Sequence, residues 1–324
     1  MIDEPNFNEI NSIVAYLRRV PYNIAPKQLY DGHTLYQGYV PGDSETFASC
    51  FDSKVYKHFL DKGKKTTIVE ESMARALHDQ AMHTALGNFF KEHDSHQCVG
   101  VMGGHSLSRD DTMYRTIVML SKQLTELGFV MISGGGPGAM EATHLGAWMA
   151  GRTMTETDEA LSLLAQSPHF SSGEQWLSSA FKVIEKYPQS HYVSLGIPTW
   201  LYGHEPSTPL ASHIAKFFEN SIREDNILTL AFGGIIYAPG SAGTMQEIFQ
   251  EAVQNHYLSF GFSSPMIFLG KQFWTEEMPA YPLLQGLMET GKYKNLRLTL
   301  TDDSAQVVSV IQDFRHELES YARE

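Results

Sequence analysis

Cysteine is scarce in this chain: Cys50 and Cys98 are the only two among 324 residues. Two thiols cannot make the disulfide framework of a small secreted domain, and they point to a reducing compartment. A chain of this length needs no staples, because it can bury a full core in one large α/β domain with a smaller accessory region. No apolar run is long enough to span a bilayer, so no membrane association is expected. The opening Met1-Ile2-Asp3-Glu4-Pro5 lacks the basic start and apolar stretch of a secretory signal, and a cytoplasmic protein is expected. Basic residues are outnumbered, 24 Lys and Arg against 37 Asp and Glu, for a formal net charge of −13. That balance argues against a surface for a nucleic acid polymer. It leaves room for a small anion, which needs only a local cluster of N–H groups and one or two cations. Internal repeats and low-complexity tracts are absent. So is a metal motif: His78 and His83 lack i,i+4 spacing, and His93 with His96 lacks accompanying thiols or a carboxylate pattern.

The alternation of short apolar runs with amphipathic segments begins at Gln97. It predicts βαβ units and an α/β fold, a Rossmann-like parallel sheet flanked by helices. Strands are expected at Cys98–Met102, Phe129–Ser133, Tyr192–Gly196, Gly234–Ala238, Met266–Leu269 and Leu296–Thr299. Helices are expected from about Asp111 to Leu127, Pro137 to Ala150, Pro209 to Asn226, Ala242 to Tyr257 and Ala305 to Tyr321. Residues 151–189 interrupt the alternation and read as an insertion, helical around Glu156–Ala165 and Glu174–Lys186; such insertions often shape the crevice at the carboxyl ends of parallel strands. Residues 1–95 read as a mostly helical N-terminal extension, an accessory region packed on the nucleotide-binding domain of residues 96–324. Its best helix, about Glu71 to Lys91, carries Met73, Ala76, Leu77, Ala81 and Leu86 at helical spacing.

Two glycine turns carry the functional signal. The first, Ser133-Gly134-Gly135-Gly136-Pro137-Gly138-Ala139-Met140, follows a strand and opens a helix, so that backbone N–H groups can converge on an anion. It departs from the dinucleotide pattern G-x-G-x-x-G, since Ala139 stands where the last glycine would fall and no acidic residue follows at the expected distance, which disfavours NAD. The second, Pro239-Gly240-Ser241-Ala242-Gly243-Thr244-Met245-Gln246-Glu247, repeats the strand, turn and helix sequence. Thr244 offers a hydroxyl and an N–H to a phosphate oxygen, and Glu247 is expected in the first helical turn, where the dipole favours its ionised form. Two such turns on neighbouring strands make a phosphate site far more credible than either one. The plainer alternatives are a tight turn without a ligand and a helix acid with no further duty. The aromatics Trp200, Tyr202, Phe217 and Phe218 are candidates for stacking on a base, with core packing the commoner role. Glu251, one turn beyond Glu247, leaves a two-carboxylate site open.

The motifs Gly134–Ala142 (G-G-G-P-G-A-M-E-A) and Pro239–Glu247 (P-G-S-A-G-T-M-Q-E) resemble those of the LOG (LONELY GUY) phosphoribohydrolases and their bacterial nucleotide 5′-monophosphate nucleosidase relatives, long mislabelled lysine decarboxylases. The resemblance runs from about Cys98 to Asp303. It implies hydrolysis of the N-glycosidic bond of a nucleoside 5′-monophosphate, with Glu247 and Arg223 as the catalytic pair. Nucleotide contacts are implied at Gly103, Gly104 and Ser106, at Gly134, Gly135, Gly136, Gly138 and Met140, and at Pro239, Gly240, Ser241, Gly243 and Thr244. His105 in the turn after the first strand is a weaker candidate. The resemblance implies no metal and no cofactor, and a homodimer or larger homo-oligomer. Three departures stand out: Ser241 replaces a glycine, Glu224 follows the arginine in place of lysine, and the Arg-to-Glu spacing is about one residue longer. The alternatives are an i,i+4 pair of Arg223 with Glu219, and a non-catalytic nucleotide-binding or carrier protein of the same fold.

Overall fold

The computed structural model describes residues 7–321. Seven parallel strands form one sheet in the order β4-β3-β2-β1-β5-β6-β7. They are β1 Cys98–Met102, β2 Val130–Ser133, β3 Ser194–Gly196, β4 His213–Ile214, β5 Gly234–Tyr237, β6 Pro265–Leu269 and β7 Arg297–Thr301. Every residue of β1, β2, β5 and β6 is buried, as a parallel strand covered on both faces requires. The strand side chains alternate between two cores. Val99, Val101, Met131, Ile236 and Ile267 belong to one, and Cys98, Met102, Ile132, Ile235, Met266 and Phe268 to the other.

In chain order the helices are α1 Phe7–Leu17, α2 Gly32–Leu35, α3 Ser44–Ser49, α4 Phe51–Asp61, α5 Val69–Phe89, α6 Thr112–Glu126, α7 Ala139–Trp148, α8 Met154–Leu164, α9 Glu174–Lys186, α10 Asn220–Leu230, α11 Ala242–Tyr257, α12 Ala280–Glu289 and α13 Ser304–Tyr321. α6, α7 and α13 bury Ile117, Leu145 and Val307 in the first core. α5, α10, α11 and α12 bury Met82, Ile227, Ile248 and Leu284 in the second. Among the described residues no helix is long and apolar enough to cross a membrane.

One expected helix is wrong. Residues 209–219 are not helical: β4 lies inside the stretch expected as a helix from Pro209, and α10 starts only at Asn220. Ile214, Ala215, Lys216, Phe217 and Phe218 are all at most 5% exposed. A run buried on every side has no helical period to read, and it pairs with β3 through Leu195 and Gly196.

The N-terminal region shares the first core, where Tyr22 and, from its helices, Leu35, Val55 and Phe59 sit with Val101 and Met131. It also reaches the sheet edge, where Tyr30 bridges Ile214 in antiparallel fashion. The insertion folds as α8 and α9, opened by a Thr153–Glu156 capping box and closed where Trp148 Nε1 donates to the Tyr187 carbonyl.

Candidate functional site

The loops after β2, β1 and β5 gather at the carboxyl edge of the sheet, where the strand order reverses direction and ligands of open α/β sheets bind. The two glycine turns are not on neighbouring strands, because β1 lies between β2 and β5. The loop after β1 ties them together instead. Gly104 N–H donates to the Pro239 carbonyl (2.9 Å), and its own carbonyl accepts from Ala139 N–H (3.1 Å). Gly103 lets this loop pass between Ala139 and Ala238, where any side chain would strike both. Ser106 is exposed at the rim, while the amide of Gly104 is spent inside the protein.

The first turn is buried from Gly134 to Ala139. Gly135 (φ 67°) and Gly138 (φ 69°) take left-handed backbone, a region that favours glycine. At Gly138 a side chain would also run into the Gly104 and His105 carbonyls. Met140 folds its thioether over Gly134 and Gly136. Below the turn, Ser133 Oγ accepts from Gly135 N–H (3.1 Å) and meets His144 Nε2 (2.8 Å), whose other nitrogen meets Ser194 Oγ (3.0 Å). Burial pulls the His144 pKa down to about 3, so the ring is neutral and acts as a fixed hydrogen-bond spacer.

The second turn is open. Ser241, Ala242 and Gly243 are exposed, and Pro239 and Gly240 are half-buried. No side chain caps the N-terminus of α11, and none caps that of α7, so the first N–H groups of both helices have no side-chain acceptor. Thr244 is 5% exposed, and its hydroxyl packs back over Gly240, which has no room for a side chain.

Arg223 joins the two turns. It lies at the start of α10 rather than near a helix end, with its N–H donating to the Glu219 carbonyl. Its Nε donates to the Ile197 carbonyl beyond β3 (2.9 Å), and its Nη2 lies directly on Gly134. Its Nη1 stands 4.0 Å from Glu247 Oε1, with both side chains about one-eighth exposed, at 13% and 12%. Glu247 belongs to the second turn of α11, not the first, and so projects from the helix body under the crevice. Burial raises its pKa to about 7, with Glu224 adding to the rise and Arg223 opposing it. Glu251, one turn on, is likewise raised to about 7 by burial, against the Ser264 hydroxyl (2.5 Å) and Asn255. Glu224 is tied to Gln246 and Asn220 outside the crevice, and Asp225 to Gln250; these bonds set α10 against α11.

Several structural partners were not foreseen. Glu141, fully buried on α7, is held by Arg109 through Nε (2.7 Å) and Nη2 (2.6 Å) and by the Tyr114 hydroxyl (2.9 Å). Arg109 also stacks on Trp176 and donates to the Ser179 hydroxyl, which fastens α9 to the first glycine turn. A lone acid in a helix whose other residues carry no charge, His144 being neutral, was the available signal, since a buried acid demands a partner. Asp79 of α5 accepts from Phe218 N–H and Glu219 N–H (3.0 and 2.8 Å) and thereby fixes the two residues that lead into α10. The candidate base-stacking aromatics divide: Trp200, Phe217 and Phe218 are core residues, and Tyr202 is 43% exposed. His105 sits 3.6 Å from Glu205 and edge-on to Phe170, so the turn between α8 and α9 reaches the crevice rim beside Gly138.

No protein-family profile and no curated sequence matches the chain. Solved structures of like architecture include the Moco carrier protein from Chlamydomonas reinhardtii, at 16% identity and TM-score 0.42, covering 68% of this chain and 98% of that one. Another is the molybdenum cofactor binding protein from the phototrophic bacterium Rippkaea orientalis, at 15% identity and TM-score 0.40, covering 67% and 96%. A third is a structural-genomics target, at 18% identity and TM-score 0.42, covering 67% and 98%.

Proposed function

We propose that the crevice between the two glycine turns holds a nucleoside 5′-monophosphate and that Glu247 promotes hydrolysis of its N-glycosidic bond. The observation that carries this reading is Arg223, whose guanidinium rests on Gly134 of one turn and faces Glu247 of the other. The uncapped starts of α7 and α11 offer N–H groups and dipole charge to the phosphate. Glu247, with a pKa near neutrality, suits proton transfer at physiological pH. In the reaction, water adds to C1′ and gives its proton to the Glu247 carboxylate. The bonding pair of the C1′–N bond leaves with the base, which takes up a proton, and ribose 5-phosphate remains. The carboxylate also stabilises the oxocarbenium-like transition state. A homodimer or larger assembly belongs to the same reading.

A carrier that holds the phosphorylated ligand without cleaving it is the second reading. It is favoured by the side chain after Arg223: an acid, Glu224, bound by Gln246, stands there instead of a lysine, so α10 supplies no second cation at that position. Proteins named as molybdenum cofactor carriers are among the solved structures of like architecture.

The test is incubation with AMP, GMP, CMP and UMP, with calorimetry for binding and chromatography for free base. Release of base, abolished in Glu247→Gln while nucleotide affinity stays within about tenfold, supports the hydrolase. Binding without release replaces it with the carrier. Equal affinity for AMP and adenosine overturns both, because removing the phosphate deletes several charge-assisted hydrogen bonds of about 1.5–3 kcal/mol each.

A further inference from the structure

A cavity of about 640 Å3 opens where α5 and the loop after α4 face the start of α10, and no residue of either glycine turn lines it. The pocket beside Gly138 measures about 150 Å3. The larger cavity has an apolar floor, Phe59, Ala76, Phe218 and Ile222, and a polar rim that includes Lys64, Lys65, Gln80 and His83. Arg75 lies beneath, its guanidinium over the Phe59 ring at 4.4 Å and the Phe218 ring at 5.7 Å. Arg75 is neutralised by buried Glu71 (Nε to Oε1, 2.7 Å), which leaves Lys64 and Lys65 as the rim cations, the first of them also donating to the Leu201 carbonyl (2.9 Å), beside two carboxylates, Asp79 and Glu219. Asp79 is already committed to the N–H groups of Phe218 and Glu219, and Glu219 accepts from the Ser221 hydroxyl. Lys64 and Lys65 are exposed and adjacent on one rim, while Asp79 is turned to backbone amides, so an anion meets the two ammonium groups first.

We infer that this cavity is a second ligand site, for an amphipathic organic anion whose aromatic or aliphatic body lies on Phe59, Phe218 and Ile222 while its charge meets Lys64 and Lys65. The volume falls in the range of small-molecule sites, and so does the combination of an apolar floor with a few polar groups. The wall is the start of α10 itself: Asp79 holds the amides of Phe218 and Glu219 that lead into this helix, and Ile222 directly precedes Arg223. An occupant therefore braces the approach to the helix that delivers Arg223 to the crevice, and couples the two sites through one element. This holds whether the crevice cleaves or only carries its ligand.

The probe is 1-anilinonaphthalene-8-sulfonate, an aromatic anion whose fluorescence rises on burial, titrated into the full chain. One saturable site is expected, with affinity weakened at least tenfold by Lys65→Glu and abolished by Ala76→Trp. Both positions are exposed, so the fold survives the changes. Ser106→Trp at the crevice rim leaves the titration unchanged, and inorganic phosphate does not displace the probe. Hydrogen exchange of residues 218–230 slows at least threefold in the bound state. Probe binding indifferent to both cavity substitutions overturns the site, displacement by phosphate overturns the ligand class, and unchanged exchange at 218–230 overturns the coupling.

Discussion

The two glycine turns look alike in sequence and differ in almost every physical respect. The turn after β2 is enclosed: Gly135 and Gly138 have left-handed backbone, the His144 relay pins Ser133, and the Arg109–Glu141 pair clamps its helix. The turn after β5 is solvent-facing from Ser241 to Gly243, and a side chain added at Gly243 would meet nothing within 4 Å. Glycine is thus required in the first turn by packing and backbone shape; in the second, Gly240 is required by the Thr244 side chain against it, and Gly243 is permitted by open space. Rigidity on one side and access on the other suit a site where one wall is fixed and the ligand arrives at the other.

Substitutions can break or sharpen this contrast. Arg109→Ala should cost most, about 3–5 kcal/mol, because it strands the buried Glu141 carboxylate; equilibrium urea unfolding measures it, and a loss below about 1 kcal/mol would dissolve the clamp. Gly138→Ala should cost about 3 kcal/mol by the same measurement, through strained backbone and collision with the Gly104 carbonyl.

The pH dependence comes next. Glu251, with a pKa of about 7, lies above its unfolded value of roughly 4.3. Its contribution is therefore fully present below about pH 4.3 and is lost as pH rises through 7, a decline on the order of 3–4 kcal/mol. Melting temperatures from pH 5 to 8 should fall less steeply in Glu251→Gln than in the parent; parallel curves would refute the raised value. Gly243→Ala is the mildest: stability should rise by about 0.5 kcal/mol, as expected for alanine in a helical turn. Nucleotide binding, followed by calorimetry, should weaken if the open space is there for a phosphate.

The sequence was legible where periodicity carried the information. β1 and α11 fall at their expected bounds because an apolar run and a glycine turn frame them. The region from Pro209 to Phe218 was misread because its burial comes from β3, Tyr30 and α5, none of them near it in sequence. The pairing of Arg223 with Glu247 was anticipated only through family resemblance. What brings the two within 4.0 Å is a set of side-chain bonds between α10 and α11, and no local pattern announces these. The Arg109–Glu141 clamp was hidden for the same reason, although a lone acid between Ala139 and Trp148 was visible.

The hold of Asp79 on the lead-in to α10 bears on how the molecule assembles. Asp79 and the amides it holds are 139 and 140 residues apart, so the approach to this helix is fixed by one of the more distant contacts of the chain. Contacts of such separation form late, after loop closure has been paid for in entropy. During synthesis α5 emerges long before α10 and waits as its template. Removing the N-terminal region should therefore leave the sheet strands able to form while the start of α10 frays, and Arg223 would lose its bearing on Gly134 without any change in the crevice's own sequence.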